Sequence, residues 1–204
     1  MATPMFPLGS TLVPYSLLPL RVFEPRYLEL VRDCLEADRE FGVVLIERGY
    51  EVGGGDTRFD VGCVARIVDV RTEGRMLRVL AVGDRRARVV EWLPDGPYPR
   101  AELEDWPEPD PDPEPGLEDE LAVTLARSRR VLALASELGQ GRAPATVVIS
   151  DDPVVASHQL TAVVPVSELD RLQLLAEPTA GGRLRRLRAL LDDVEVLLSH
   201  QLGT

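Results

Sequence analysis

Proline occupies every second position from Pro107 to Pro115 in the stretch WPEPDPDPEPG, residues 106–116. No helix or sheet interior tolerates that repeat, because each proline fixes φ and removes a backbone donor. The intervening acids repel one another, so the segment is expected to be extended, solvated and polyproline-like. It would reach roughly 30 Å at about 3.1 Å per residue. A chain of 204 residues interrupted in this way is expected to form two bodies. They are a β-rich body over 1–105 and a helical body over 117–204, joined by an acidic proline-rich linker over 106–116. The competing reading of the linker is a docking peptide for a proline-recognition module, but its PxxP register is absent.

The charge follows the same division. Net charge is −11, yet residues 1–105 hold 14 arginines against 18 acids, and residues 121–204 balance nine against nine. Residues 106–120 carry seven acids and no base. Neither flank has the basic excess of a nucleic-acid binder. All 23 basic residues are arginine, and neither lysine nor asparagine occurs. Both missing types have AT-rich codons, which suggests a GC-rich bacterial genome. Without lysine there can be no phosphate-loop lysine, serine–lysine dyad or Schiff base. No apolar run is long enough to cross a bilayer and the start lacks a signal-peptide pattern, so a cytoplasmic protein without membrane association is expected. Cys34 and Cys63 are then read as free thiols.

Before the linker the patterning is mostly that of strands. Phe41 to Ile46 is a continuous apolar run, Val61 to Val70 is rich in β-branched residues, and Glu73-Gly74 marks a turn. Met76 to Val82 and Ala87 to Leu93 read as two strands around a turn at Gly83-Asp84. One helix interrupts them. Pro25 suits its first turn, and Tyr27, Leu28, Val31, Cys34 and Leu35 form one apolar stripe that places Cys34 in the core. After the linker the periods are helical. Leu117 to Leu138 is one segment, Asp152-Pro153 starts another, Ser167 to Asp170 has capping-box spacing, and Arg183 to Leu202 repeats leucine at threes and fours.

Two blocks of sequence, in order, resemble one known family. FPLGSTLVPYSLLPLRVFEPRY followed by a helix and FGVVLI is similar to the N-terminal substrate-binding domain of the ATP-dependent Lon proteases, most of all to stand-alone bacterial members. The second block repeats that domain's helical part in Asp152-Pro153, Pro165-Val166-Ser167, Gln173-Leu174-Leu175 and Arg183-Leu184. The resemblance implies an α+β fold: a small PUA-like β-barrel with one inserted helix, followed by an all-α helical bundle. It makes PLRVFEP, residues 19–25, the corner between an early strand and the first helix. Arg21, Glu24 and Arg26 would form an ion-pair cluster there, Pro25 would open the helix, and Phe23 and Tyr27 would face the core. The competing reading is that the same residues contact a ligand. Lon enzymes continue into ATPase and protease modules, but this chain has no GxxxxGK[ST] and no lysine, so a Lon-type peptidase activity is not expected of it.

Little other chemistry is legible. His158 and His200 have no ligand-spaced companions, so no metal or other cofactor is expected. The adjacent pairs Ser157-His158 and Ser199-His200 point about 100° apart on helices and cannot form a relay. Gly53, Gly54 and Gly55 lack a dinucleotide fingerprint; they close a loop or let a bound chain approach the backbone. Arg183, Arg185, Arg186 and Arg188 crowd a helix start, where the dipole disfavours cations. They pair locally, Arg188 with Asp192 for example, or receive the acidic linker or an acidic partner.

The reading is thus a non-enzymatic module that binds unfolded or peptide segments of other proteins, as an adaptor or substrate selector, with a homodimer left open. The alternative is a small-molecule binder using a pocket in the barrel.

Overall fold

The computed structural model describes residues 2–48, 57–94, 96–109 and 115–203. It divides into two compact units, Met1–Pro107 and Glu108–Thr204.

Among the described residues the first unit is built on six strands, β1 (Ala2–Leu8), β2 (Leu17–Val22), β3 (Glu40–Arg48), β4 (Thr57–Glu73), β5 (Met76–Trp92) and β6 (Arg100–Asp105), with helix α1 (Pro25–Glu36) between β2 and β3. The sheet order is β2-β5-β4-β3-β1-β6, and β5 also pairs with β6, which closes five strands into a ring. Closure removes the edges that a flat sheet would expose. β2 stays outside the ring: it pairs with β5 through Leu77–Val82, whereas β6 takes the same side of β5 further on, at Ala87–Trp92. β1 and β3 are parallel and the other pairs antiparallel.

The long β5 corrects one sequence expectation. Gly83-Asp84 is not a turn but lies inside a continuous strand. The register with β4 slips there, from Arg85 opposite Val64 to Gly83 opposite Ala65, so Asp84 is the extra residue of a bulge. Gly83 is required for a different reason than a turn. A Cβ at that position would sit 2.2 Å from the Val13 carbonyl oxygen, and the Gly83 backbone exchanges hydrogen bonds with Tyr15 and Ser16. The true hairpin turn follows Glu73, at Gly74, where φ is +62°.

The barrel core gathers Phe6, Val22, Tyr27, Leu30, Val31, Cys34, Phe41 and Ile67. Phe6 and Tyr27 stack with ring centroids 4.0 Å apart. On α1 the buried stripe is Tyr27, Leu30, Val31 and Cys34, while Leu35 is exposed. The helix is therefore turned slightly from the predicted face. Near the end of the unit the half-buried Trp106 lies under two guanidiniums, Arg88 at 3.6 Å and Arg86 at 4.7 Å from its ring centre.

Among the described residues the second unit holds four helices, α2 (Leu117–Glu137), α3 (Pro153–Val163), α4 (Glu168–Leu175) and α5 (Ala180–Leu202). Their caps are local side-chain chemistry. The Asp152 carboxylate accepts from the Val154 and Val155 amides, Ser167 from Asp170, and Thr179 from Gly182. Each meets donors that the first turn leaves unpaired. Leu184, Leu187, Leu191 and Leu198 of α5 are buried against Leu121, Val131, Leu160 and Leu174.

Candidate functional site

The corner PLRVFEP is set by two periodicities that meet. Along β2, Leu18 and Val22 are buried and Leu20 is partly buried, whereas Leu17, Pro19 and Arg21 are exposed. A pleat alternates faces, so the next residue after Val22 turns outward. Phe23 is accordingly 57% exposed, which corrects its assignment to the core. Tyr27, one helical turn into α1, is buried. Glu24 is extended (φ −72°, ψ 134°) and Pro25 opens the helix.

The expected ion cluster is smaller than three residues. Glu24 accepts from Arg26, with both Nε and Nη2 at 3.1 Å from Oε2 and both side chains mostly covered. The Arg26 guanidinium also lies 4.4 Å from the centre of the Tyr27 ring. Arg21 does not join them. It is exposed, directly opposite Arg78 in the β2–β5 register, and makes no ion pair among the described residues. Alternation is again the cause, since Arg21 shares its face of β2 with Pro19 and not with the core.

This corner encloses space. Residues 18–24 line a cavity of about 390 Å³, completed by Phe6, Leu8, Ser10 and Tyr27. Its wall is largely apolar, and Phe23 stands at it with more than half its surface in solvent. Leu17, at the other end of β2, is 67% exposed. A second cavity, also about 390 Å³, shares Pro19, Leu20 and Arg21 and adds Asp69, Arg71 and Arg78. β2 thus ends the sheet and borders both cavities. Pro19 suits that position, since proline within a strand is best tolerated at an edge. The contribution of Phe6, Leu8 and Ser10 had no signal in the sequence, because it depends on how β1 lies beside β2.

A third cavity, about 370 Å³, opens by the end of α1, where Asp33, Cys34, Asp38, Arg85 and Tyr98 contribute to its wall. The Tyr98 hydroxyl donates to Asp33 at 2.7 Å. Burial, and then the Asp33 contact, push the phenol up to about 12. Burial, then Asp38 and Asp33, push the Cys34 thiol up to about 12 as well. Burial pushes Cys63 higher still. A raised thiol pKa favours the folded state fully below the unfolded value near 9; that contribution is lost as pH climbs towards 12. Both cysteines should therefore resist a thiol reagent at pH 8 in the native protein and react at once in denaturant. Rapid native labelling of Cys34 would contradict the burial.

The remaining sequence candidates fall elsewhere. Gly53, Gly54 and Gly55 lie outside the described residues. Ser157 donates to the Val154 carbonyl at 2.7 Å and accepts from Arg183 at 2.7 Å, so it does not face His158 as a nucleophile would. His158 Nε2 instead lies 3.1 Å from Glu108. Among the arginines of α5, Arg183 takes Glu108 at 2.6 Å, Arg186 takes Glu177 at 3.0 Å, and Arg188 faces Glu120 at 3.5 Å rather than Asp192. Among the described residues no group of three His, Cys, Asp or Glu side chains is placed to hold a metal, and no helix is long and apolar enough to cross a membrane.

A closed ring of strands with a further strand paired outside it, followed in the chain by a helical unit, defines a class of domain. The model of the ATP-dependent protease La (LON) substrate-binding domain matches residues 2–193, and the chain belongs to that family. A crystal structure of a Lon N-terminal domain protein from Xanthomonas campestris is 30% identical, with a TM-score of 0.62 over 93% of this chain and 98% of that one. The N-terminal domain of Mycobacterium avium complex Lon protease shares the fold at 17% identity, with a TM-score of 0.64 over 95% of this chain. Among curated proteins, Lon protease 2 of Herpetosiphon aurantiacus is 28% identical over 98% of this chain, and Lon protease of Anaeromyxobacter dehalogenans is 28% identical over 93%. The chain spans about a quarter of the length of either.

Proposed function

We propose that this domain is a non-catalytic module that binds unfolded polypeptide segments, and that the β2–α1 corner is where it does so. Membership of a substrate-binding family supports the general reading. The observation that carries the location is Phe23, an aromatic side chain held in solvent at the wall of an apolar cavity beside the end strand of the sheet. Exposed aromatics beside a concavity are the usual anchors of recognition. The segment supplies an aliphatic or aromatic side chain to the cavity and lies extended along β2. Affinity for a single segment is expected to be roughly micromolar or weaker, because ordering a flexible chain offsets much of the burial. In a cell such a module would act in the cytoplasm as an adaptor or substrate selector.

The test is titration with a reduced, unfolded model polypeptide and with its folded form, each with and without ATP. Only the unfolded form should bind, ATP should change nothing, and Phe23→Ser should weaken binding about tenfold. Phe23 is exposed, so the substitution should move stability by no more than about 0.5 kcal/mol. Equal binding by the variant would remove the corner from the reading. A second reading, a small ligand in the cavity beside Tyr98 and Asp33, is favoured by that convergence of polar groups. Native mass spectrometry of protein purified from its own lysate would show it as a bound small molecule.

A further inference from the structure

We infer that the segment received at the β2–α1 corner carries a carboxylate two residues from its apolar anchor, and that Arg21 is the group that recognises it. This rests on the polypeptide-binding reading above. Arg21 and Arg78 stand directly opposite each other across β2 and β5. Like charges in that position destabilise a sheet. The neighbouring cations are each neutralised: Arg78 is bound through two nitrogens by Glu73, and Arg71 by Asp69 at 2.9 Å. Arg21 has no ion pair among the described residues and is attracted at longer range by Glu73. A guanidinium without an ion pair among the described residues therefore lines both cavities, together with Pro19 and Leu20. In a chain of net charge −11, acidic segments are repelled generally, so this local cation can select one that fits.

The spacing follows from strand geometry. Arg21 and Phe23 are two residues apart and both exposed, about 7 Å along an extended chain. An extended segment lying antiparallel beside β2 has the same repeat, so an anchor at Phe23 brings the side chain two positions later to Arg21. Pro19 offers no N–H to such a segment, which keeps the added ladder short.

Fluorescence anisotropy with three labelled peptides tests this: an aromatic anchor followed two residues later by Glu, Gln or Lys. The native protein should bind the Glu peptide about fivefold tighter than the Gln peptide, the scale of one exposed charge pair. Salt should shrink the difference. Arg21→Gln should abolish the preference, and Arg21→Glu should transfer it to the Lys peptide. Equal binding of the Glu and Gln peptides by the native protein would overturn the inference and leave the polypeptide reading standing. Failure of all three to bind would overturn both. A dimer in sedimentation that Arg21→Glu dissociates, with no peptide preference, would assign the edge to a second copy of the chain and also overturn it.

Discussion

Glu108→Ala is expected to cost the helical unit on the order of 3–5 kcal/mol. Its melting transition, followed by circular dichroism at the helix band, should fall by roughly 15 °C. The reason lies in Arg183, whose side chain is 0% exposed. Desolvation depresses its basicity, and Glu108 is the first influence working the other way. Nη2 donates to Glu108 at 2.6 Å and to the Glu177 carbonyl at 3.2 Å, Nε to the Leu174 carbonyl at 3.1 Å, and Nη1 to Ser157 at 2.7 Å. The acceptors at Leu174, Ser157 and the Glu177 carbonyl are neutral, and the Glu177 carboxylate attracts Arg183 less strongly than Glu108 does, so removing Glu108 strips the buried cation of its main counter-charge. Glu108→Gln keeps an acceptor of nearly the same shape and should lose less than the alanine variant. An unchanged transition for Glu108→Ala would show that the remaining partners suffice.

The second large effect is expected at Arg171, which is 1% exposed. It reaches from α4 to the end of α3, donating to the Thr161 carbonyl and, at 3.1 Å, to that of Val164. Helix ends leave carbonyls without intrahelical donors, and a cation is favoured there by the dipole. Arg171 therefore serves as a cap supplied by a neighbouring helix. Arg171→Ala removes the donors and leaves a void, with an expected cost on the order of 3–5 kcal/mol. Arg171→Met fills the volume without the donors and should recover part of it. Burial and the nearby Arg142 hold Arg171 down to about 10. The lowered value means that carrying the proton is harder in the folded state. That cost is present in full below about pH 10 and is relieved only above it, so the deficit measured by urea denaturation should be flat from pH 5 to 8. A deficit that varied across this range would point to another group.

These two residues mark what could be read from the sequence and what could not. The α+β class, the alternation of strands before residue 105 and the helical periods after 117 are written in local spacing. So are the caps at Asp152 and Ser167, where the partners lie two or three residues away. Glu108 was hidden by composition. Among alternating prolines and acids it looks like every other solvated charge, and its partner lies 75 positions away. Gly83 was misread because glycine has two uses, positive φ and lack of a Cβ, and sequence does not say which applies. Phe23 was misplaced because an aromatic beside a buried valine looks like core until the pleat is counted. The corner itself was visible as PLRVFEP; the cavity beside it was not, because Phe6 and Leu8 reach it through the tertiary arrangement of β1.

The closing of the barrel also sets a schedule for synthesis. Ala2, Thr3 and Pro4 pair with Glu102, Ala101 and Arg100, and the Met5 amide donates to the Pro99 carbonyl at 2.8 Å. At translation rates of about 5–20 residues per second, the first of these strands waits roughly 5–20 s for the last to be made. During that interval Phe6 and its neighbours have no completed ring to enter. Until then the nascent barrel lacks its closing strand. Its completion depends on a strand that ends beside the acidic stretch, and a message broken ahead of that point yields a product that cannot close.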